Sequence, residues 1–267
     1  MKNEGNEYKF SKVALVWKES LRMPGIYGYK LPKNGDCKKL MKFCRVWRRI
    51  FKYINLNPYK RSDLRVLEVG CGGGKYLVQF ALNNWKTVGI DCSQEVLARA
   101  RNYIKEVSNA CQFNLDIELL YGDFMSFNFS EKFDLVFHSG VIEHYIDQNE
   151  RMFFLRKMFE LTKPNGYIVS IAPVIKEANK INNTVYDYLP YINYTPELMN
   201  QEFKNLSGRE IRILPHNLFF WFFLKRNFIS GLINKPLYYI LQLVPPEMFP
   251  FDFAYRNAGV LIGITKK

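Results

Sequence analysis

Between positions 64 and 173, short β-branched apolar runs alternate with longer stretches whose apolar residues recur at helical spacing. Such an alternation predicts a parallel α/β sheet, because each return to a parallel strand has to cross a helix. The predicted strands are 65–70, 87–91, 116–121, 133–138 and 166–172, with helices after Gly73, after Ser93 and over about 149–162. Ser93 can accept the free N–H groups of a first helical turn. Pro164-Asn165-Gly166 predicts the stop of the last helix and a turn into the next strand.

Ahead of this region, Leu40, Phe43, Cys44, Trp47, Ile50, Phe51 and Ile54 repeat at helical spacing. Lys38, Lys39, Lys42, Arg45, Arg48, Arg49 and Lys52 fill the intervening positions. This predicts one strongly basic amphipathic helix, either packed on the domain with a solvated charged face or presented to acidic lipid or nucleic acid. The longest apolar run, LFFWFFL at 218–224, ends at Lys225-Arg226 and is far short of the about 20 residues a membrane-spanning helix needs.

The chain has 267 residues, 48% of them hydrophobic, enough for one sizeable core. We expect a helical extension or lid over 1–60 and one domain over 61–267, with insertions at about 174–202 and 215–258. A formal charge of +13 favours anionic partners without choosing among nucleic acid, phosphorylated metabolites and lipid headgroups. The five cysteines show no CxxC pair, so reduced thiols are expected rather than a disulfide framework or zinc site. The opening MKNEGNEYKF carries acids and lacks an apolar h-region, which predicts a cytoplasmic protein without an export signal.

Residues 66–74, VLEVGCGGG, read as a buried strand entering a G-x-G-x-G turn ahead of a helix. Dinucleotide enzymes use a similar turn, but here Lys75 stands where their third glycine falls. Glu68, two positions before the first glycine, disfavours a pyrophosphate and suits a ligand carrying an ammonium and a sulfonium. Asp91 ends the second strand, 21 positions after Gly70, where a carboxylate can accept two ribose hydroxyls. Gly122-Asp123-Phe124 follows the third, offering a carboxylate to an adenine amino group and a ring to its face. Each acid also has a plain structural reading: Asp91 as a helix cap, Asp123 as a turn residue, Glu68 as a surface acid.

The series VLEVGCGGG, VGIDCS, YGDF, FDLVFHSGVIEH and LTKPNGYIVSIAP, over about residues 60–173, resembles the motifs of class I S-adenosylmethionine-dependent methyltransferases of the small-molecule type. The resemblance implies a Rossmann-like sheet of order 3-2-1-4-5-7-6 flanked by helices, with 210–214 and 259–265 as the last two strands. It also implies S-adenosyl-L-methionine as cofactor and S-adenosyl-L-homocysteine as product. The cofactor residues would be Glu68, Gly70, Cys71, Gly72, Asp91, Cys92, Asp123 and Phe124, with Ser139 beside the methionine moiety. The 215–258 stretch, aromatic and helical in character, is inserted where the family joins strands six and seven closely.

Methyl transfer from a sulfonium is an in-line displacement, so positioning can supply much of the catalysis. The segment 138–144, HSGVIEH, is where an acceptor is expected, and His144 is the candidate general base, accompanied by Glu143. The resembling ubiquinone-pathway enzymes carry E-x-x-E-H, a metal-binding pattern. Gly140 replaces its first acid here, so no metal is expected. Glu143 and His144 can equally be capping or packing residues.

No [DNS]-P-P-[YFW] and no Pro-Cys nucleophile appear, which disfavours base methylation of those types. Tyr186, Tyr188, Tyr191, Tyr194 and the aromatics of 219–239 are candidates for an acceptor pocket, and Tyr8, Phe10, Trp17 and Tyr27 for a lid. The expected activity is O- or C-methylation of a small lipophilic or anionic acceptor, with peripheral membrane contact compatible with the charge. The alternatives are an RNA methyltransferase, disfavoured by the lack of a recognisable RNA-binding module, and a catalytically silent cofactor-binding scaffold at a membrane.

Overall fold

The computed structural model describes residues 36–59, 63–174, 191–208, 211–219 and 244–267, with residues 18, 29, 31, 240 and 241. The proposed lid residues Tyr8, Phe10, Trp17 and Tyr27, the tyrosines 186 and 188, and nearly all of the 219–239 aromatics lie outside them.

Seven strands form one sheet in the order β3-β2-β1-β4-β5-β7-β6. They are β1 (Arg65–Val69), β2 (Lys86–Asp91), β3 (Ile117–Tyr121), β4 (Phe133–Ser139), β5 (Thr162–Pro173), β6 (Arg212–His216) and β7 (Val260–Lys266). The described helices are α1 (Cys37–Met41), α2 (Arg45–Ile50), α3 (Lys75–Ala81), α4 (Gln94–Cys111), α5 (Gln148–Leu161), α6 (Pro196–Ser207) and α7 (Phe251–Asn257). β1 pairs in parallel with β2 and β4, whereas β6 and β7 are antiparallel. By internal contacts the chain divides into two compact units, one of residues 1–139, 153–168 and 266–267, the other of 140–152 and 169–265.

In the first unit the sheet centre is apolar because β1 is an interior strand of a parallel sheet, whose crossover helices cover its faces. Val66, Leu67 and Val69 are buried there. Gly89 of β2 sits opposite Glu68 of β1, and a Cβ at that position would lie 2.5 Å from the Leu77 side chain and 2.8 Å from Cys71 Sγ. Its missing side chain therefore lets α3 and the loop after β1 close onto β2. α4 begins where its sequence signal placed it: Ser93 Oγ accepts the Val96 N–H, and Val96, Leu97, Ala100, Tyr103 and Val107 make the buried stripe.

Three local expectations are corrected. The single basic helix is two, α1 and α2, broken at 42–44. Gln79 of α3 binds the Cys44 N–H and the Lys42 carbonyl, and Asn83 binds the Met41 carbonyl, so tertiary hydrogen bonds replace the helical ones lost at the break. Its apolar stripe is used: Phe43, Trp47, Ile50 and Ile54 are buried, with Trp47 edge-on to Phe80 and Phe137. Arg49, placed by spacing on the polar face, is buried as well.

Pro164-Asn165-Gly166 does not separate α5 from a later strand, since β5 already starts at Thr162. Asn165 absorbs the bend at φ 66° while its N–H, and that of Lys267 towards Gly166, tie the segment to the C-terminal residue. The cysteines are not all thiols: Cys37 and Cys111 form a disulfide across 74 residues, with Cα atoms 5.5 Å apart. Spacing gave no sign of it because the fold alone brings α1 to the end of α4. Glu68 is not a surface acid; it is 3% exposed.

The second unit contains the antiparallel pair. Gly263 of β7 packs so tightly under α6 that a Cβ would approach Met199 Sδ to 2.7 Å. No described helix is long and apolar enough to cross a membrane.

Candidate active site

The first unit gathers the predicted cofactor residues around the loop between β1 and α3. Gly70 and Cys71 both donate to the Ile90 carbonyl, at 2.8 and 3.1 Å, which lashes the loop to β2. Gly72 takes φ 53° and Gly74 φ 76°, conformations that L side chains resist, and Gly74 opens α3 from that state. The turn thus leaves backbone without Cβ atoms where a ligand can approach it closely.

Asp91 closes the loop. Its Oδ2 accepts the Gly72 N–H at 2.9 Å and its Oδ1 accepts the Ser93 N–H at 3.0 Å, so one carboxylate fixes the glycine turn and the entry to α4. With the Cys92 N–H also at the carboxyl, lone-pair capacity remains for a ligand hydroxyl. Glu68 lies close by with Oε2 lacking a hydrogen-bond partner among the described residues. Burial, and then the neighbouring Asp91, push its carboxyl well above the usual range. Burial likewise raises Asp91. Two enclosed acids that already oppose each other's charge form a poor pyrophosphate site and a good one for a cation bearing ribose hydroxyls.

Around them, Cys71 and Cys92 are free thiols whose pKa values are raised by burial and by Asp91. Asp123 holds its own turn, accepting from Met125 N–H at 3.1 Å and Ser126 Oγ at 3.2 Å. Phe124 is buried edge-to-face on Phe154, with the Lys157 ammonium 5.5 Å from its ring. Ser139, at the end of β4, hydrogen-bonds the hydroxyl of Tyr76.

In the second unit, Gly140 turns the chain at φ 73° and Ile142–His144 form a short 3-10 turn. Glu143 is 0% exposed, with both carboxylate oxygens unpartnered among the described residues. Burial pushes it up to about 8. Its Oε1 lies 3.4 Å from where a Cβ on Gly140 would stand, so the glycine keeps one side of the carboxyl open. His144 is half-buried at the end of the turn.

Arg151 supports this segment by donating to the carbonyls of Tyr145, at 2.9 Å, and Ile146, at 2.6 Å. It also pairs with buried Glu202 at 2.8 Å, while the Tyr194 hydroxyl donates to the other Glu202 oxygen. Tyr194, a pocket candidate by sequence, is therefore a buried strut. Glu202 and Arg151 were missed. The available signal was an acid inside the apolar stripe Met199, Phe203 and Leu206, at i+3 from the first. Among the described residues, no group of three or more His, Cys, Asp or Glu could hold a metal ion.

Strand order, glycine turn and acidic strand ends together define a class I methyltransferase fold. Residues 60–216 match the methyltransferase domain family, and the chain belongs to that family, whose cofactor is S-adenosylmethionine. Among curated proteins it is 25% identical over 156 residues to a malonyl-[acyl-carrier protein] O-methyltransferase of Calditerrivibrio nitroreducens, covering 57% of this chain and 53% of that protein. It is 29% identical over 162 residues to a ubiquinone biosynthesis O-methyltransferase of Bradyrhizobium diazoefficiens, covering 60% and 58%. The chain thus spans rather more than half the length of these relatives. A solved S-adenosylmethionine-dependent methyltransferase of Archaeoglobus fulgidus shares the fold at TM-score 0.55 and 18% identity, covering 83% of this chain and 93% of that one.

Proposed function

We propose that the chain transfers a methyl group from S-adenosylmethionine to a small-molecule acceptor, at oxygen or carbon, leaving S-adenosylhomocysteine. The observation that carries the reading is the buried, partner-poor Glu68 carboxyl beside Asp91 above a glycine turn. Its carboxyl is hydrogen-bonded by the Leu77 backbone N–H, and an enclosed acid whose other oxygen lacks a partner among the described residues is costly unless a ligand completes it. In this reading Glu68, Gly70, Cys71, Gly72, Asp91, Cys92, Asp123, Phe124 and Ser139 hold the cofactor, which supplies a methyl carbon activated by its sulfonium. His144 takes the proton from an acceptor hydroxyl, and Glu143 hydrogen-bonds the acceptor.

The O-methyltransferase names of both curated relatives support oxygen as the acceptor atom. A lipophilic or anionic acceptor, and action in the cytoplasm with peripheral contact to acidic membrane, belong to the same proposal. A thermal-shift titration tests it: stabilisation by S-adenosylmethionine and S-adenosylhomocysteine but not by NAD(H) or NADP(H) is the expected result. The reverse pattern overturns it.

A further inference from the structure

The turn that follows β3 carries two sets of hydrogen bonds, one of its own and one from α5. Within the turn, Asp123 Oδ1 accepts the Met125 N–H at 3.1 Å, Oδ2 accepts the Ser126 hydroxyl at 3.2 Å, and the Asp123 carbonyl accepts the Phe127 N–H at 2.9 Å. These bonds are local and set the shape of the turn. Lys157 of α5, 32 and 30 positions away, donates from its ammonium to the carbonyls of Met125 at 3.0 Å and Phe127 at 2.6 Å. Those bonds set its place.

The same ammonium lies 5.5 Å from the centroid of the Phe124 ring, which packs on Phe154 of α5 with centroids 5.1 Å apart. Burial lowers the pKa of Lys157, and the carboxylates of Asp123 and Glu160 oppose that shift, so the cation sits where Asp123 acts on it. At the start of the turn the Gly122 N–H donates to the Asp91 carbonyl at 3.1 Å. A Cβ on Gly122 would stand 3.0 Å from the Phe127 ring, so the end of the turn folds back against its beginning. Asp123 is therefore held between the Asp91 backbone on one side and the α5 ammonium on the other. Its two oxygens each accept one bond within the turn and keep capacity for a ligand donor.

We propose that Lys157 is a positioning residue for base specificity: it holds the 122–127 turn so that the Asp123 carboxylate accepts the amino group of adenine and rejects a base with a carbonyl oxygen in that place. This rests on the cofactor reading above. A fixed carboxylate gains a charge-assisted bond from an amino group and meets only lone pairs on a carbonyl oxygen. The discrimination needs the carboxylate held to within about 0.5 Å. Without the ammonium, Phe124 still packs on Phe154 and the local bonds remain, so the turn keeps its shape and loses its place. The carboxylate then reaches water as readily as the base, and the two bases become nearly alike.

The test is calorimetric titration of S-adenosylhomocysteine and of S-inosylhomocysteine, which carries a carbonyl oxygen in place of the amino group, into wild type and Lys157→Met. Wild type should prefer the adenine ligand about 30-fold, the scale of one hydrogen bond to a charged group, and the variant about threefold. Lys157→Arg keeps the charge and the donors and should restore most of the preference. Should Lys157→Met fold poorly, Lys157→Gln, neutral and one atom shorter, takes its place with the same expected loss. A preference unchanged from wild type, even with both affinities or the melting temperature lowered, overturns the proposal by making Lys157 a structural prop only. Equal binding of the two ligands to wild type overturns base selection at Asp123 and leaves the cofactor reading standing. Absence of S-adenosylhomocysteine binding to wild type overturns the cofactor reading, and this inference with it.

Discussion

Glu68 and Glu143 are both enclosed carboxyls with raised pKa values, yet their surroundings differ in kind. Glu68 belongs to a set assembled by neighbours in sequence and in the sheet: the glycine turn, Asp91 and the start of α4. Glu143 has no side-chain hydrogen-bond partner among the described residues and sits on a turn held from a distance by Arg151, Glu202 and the Ile192 N–H, which donates to its carbonyl at 2.8 Å. A set of the first kind can be written in a few short motifs. The second kind depends on contacts between residues tens of positions apart, and it fails if one distant partner is lost.

That difference is broken most directly at the support. Arg151→Ala leaves Glu202 as a buried charge without its cation and frees the 145–146 carbonyls. Removing one partner of a buried pair costs about 3–5 kcal/mol, and urea denaturation should show that loss. A change within about 0.5 kcal/mol would mean that the segment is held elsewhere.

The burial of Glu143 gives the next effect through pH. Its carboxyl is raised from the usual 4.5 to about 8, so the folded protein binds its proton more tightly than the unfolded chain does. The sign follows: stability from this group is complete below about 4.5 and is lost as pH rises through about 8. Glu68 and Asp91 shift in the same sense, so the informative quantity is the difference between wild type and Glu143→Gln. Relative to wild type, the variant should gain about 3 kcal/mol between pH 4.5 and 8.5, less than the full shift converts to because water can follow an ionised carboxyl inwards. Parallel pH curves would show that Glu143 is solvated.

On the other side of the comparison, Asp91→Ala should weaken S-adenosylhomocysteine binding about 100-fold, or ~2.7 kcal/mol, because charge-assisted bonds to backbone N–H groups order the glycine turn. Asp91→Asn keeps one acceptor oxygen and should lose less. Unchanged affinity in the alanine variant by calorimetry would contradict the ribose assignment.

These contrasts also account for what could be read in the chain. The strands between 65 and 172, the Ser93 cap and the glycine turn were legible because each is set by residues within a few positions or by side-chain period, whereas the strand order came only from the resemblance to class I methyltransferases. The break between α1 and α2 was not, since the hydrogen bonds that permit it come from Gln79 and Asn83 some 35 to 42 positions away. The Cys37–Cys111 bond and the Arg151–Glu202–Tyr194 cluster are hidden for the same reason. Asp123 shows a further limit: its plain reading as a turn residue holds in the structure, and holding a turn does not preclude a ligand at its remaining lone pairs.

The smallest expected effect falls on His144, and its size separates two arrangements. A sole general base contributes about 10²–10⁴ in rate. Here Glu143 adjoins it in sequence with both oxygens unpartnered among the described residues, so a second proton acceptor remains when the imidazole is removed. His144→Ala should therefore slow kcat only about thirtyfold, ~2 kcal/mol, with S-adenosylhomocysteine affinity kept. The residual activity should rise with pH towards about 8 as Glu143 ionises. Full activity in the variant would remove His144 as the base, whereas a loss beyond about 10³-fold with no pH rise would leave Glu143 no share in proton removal.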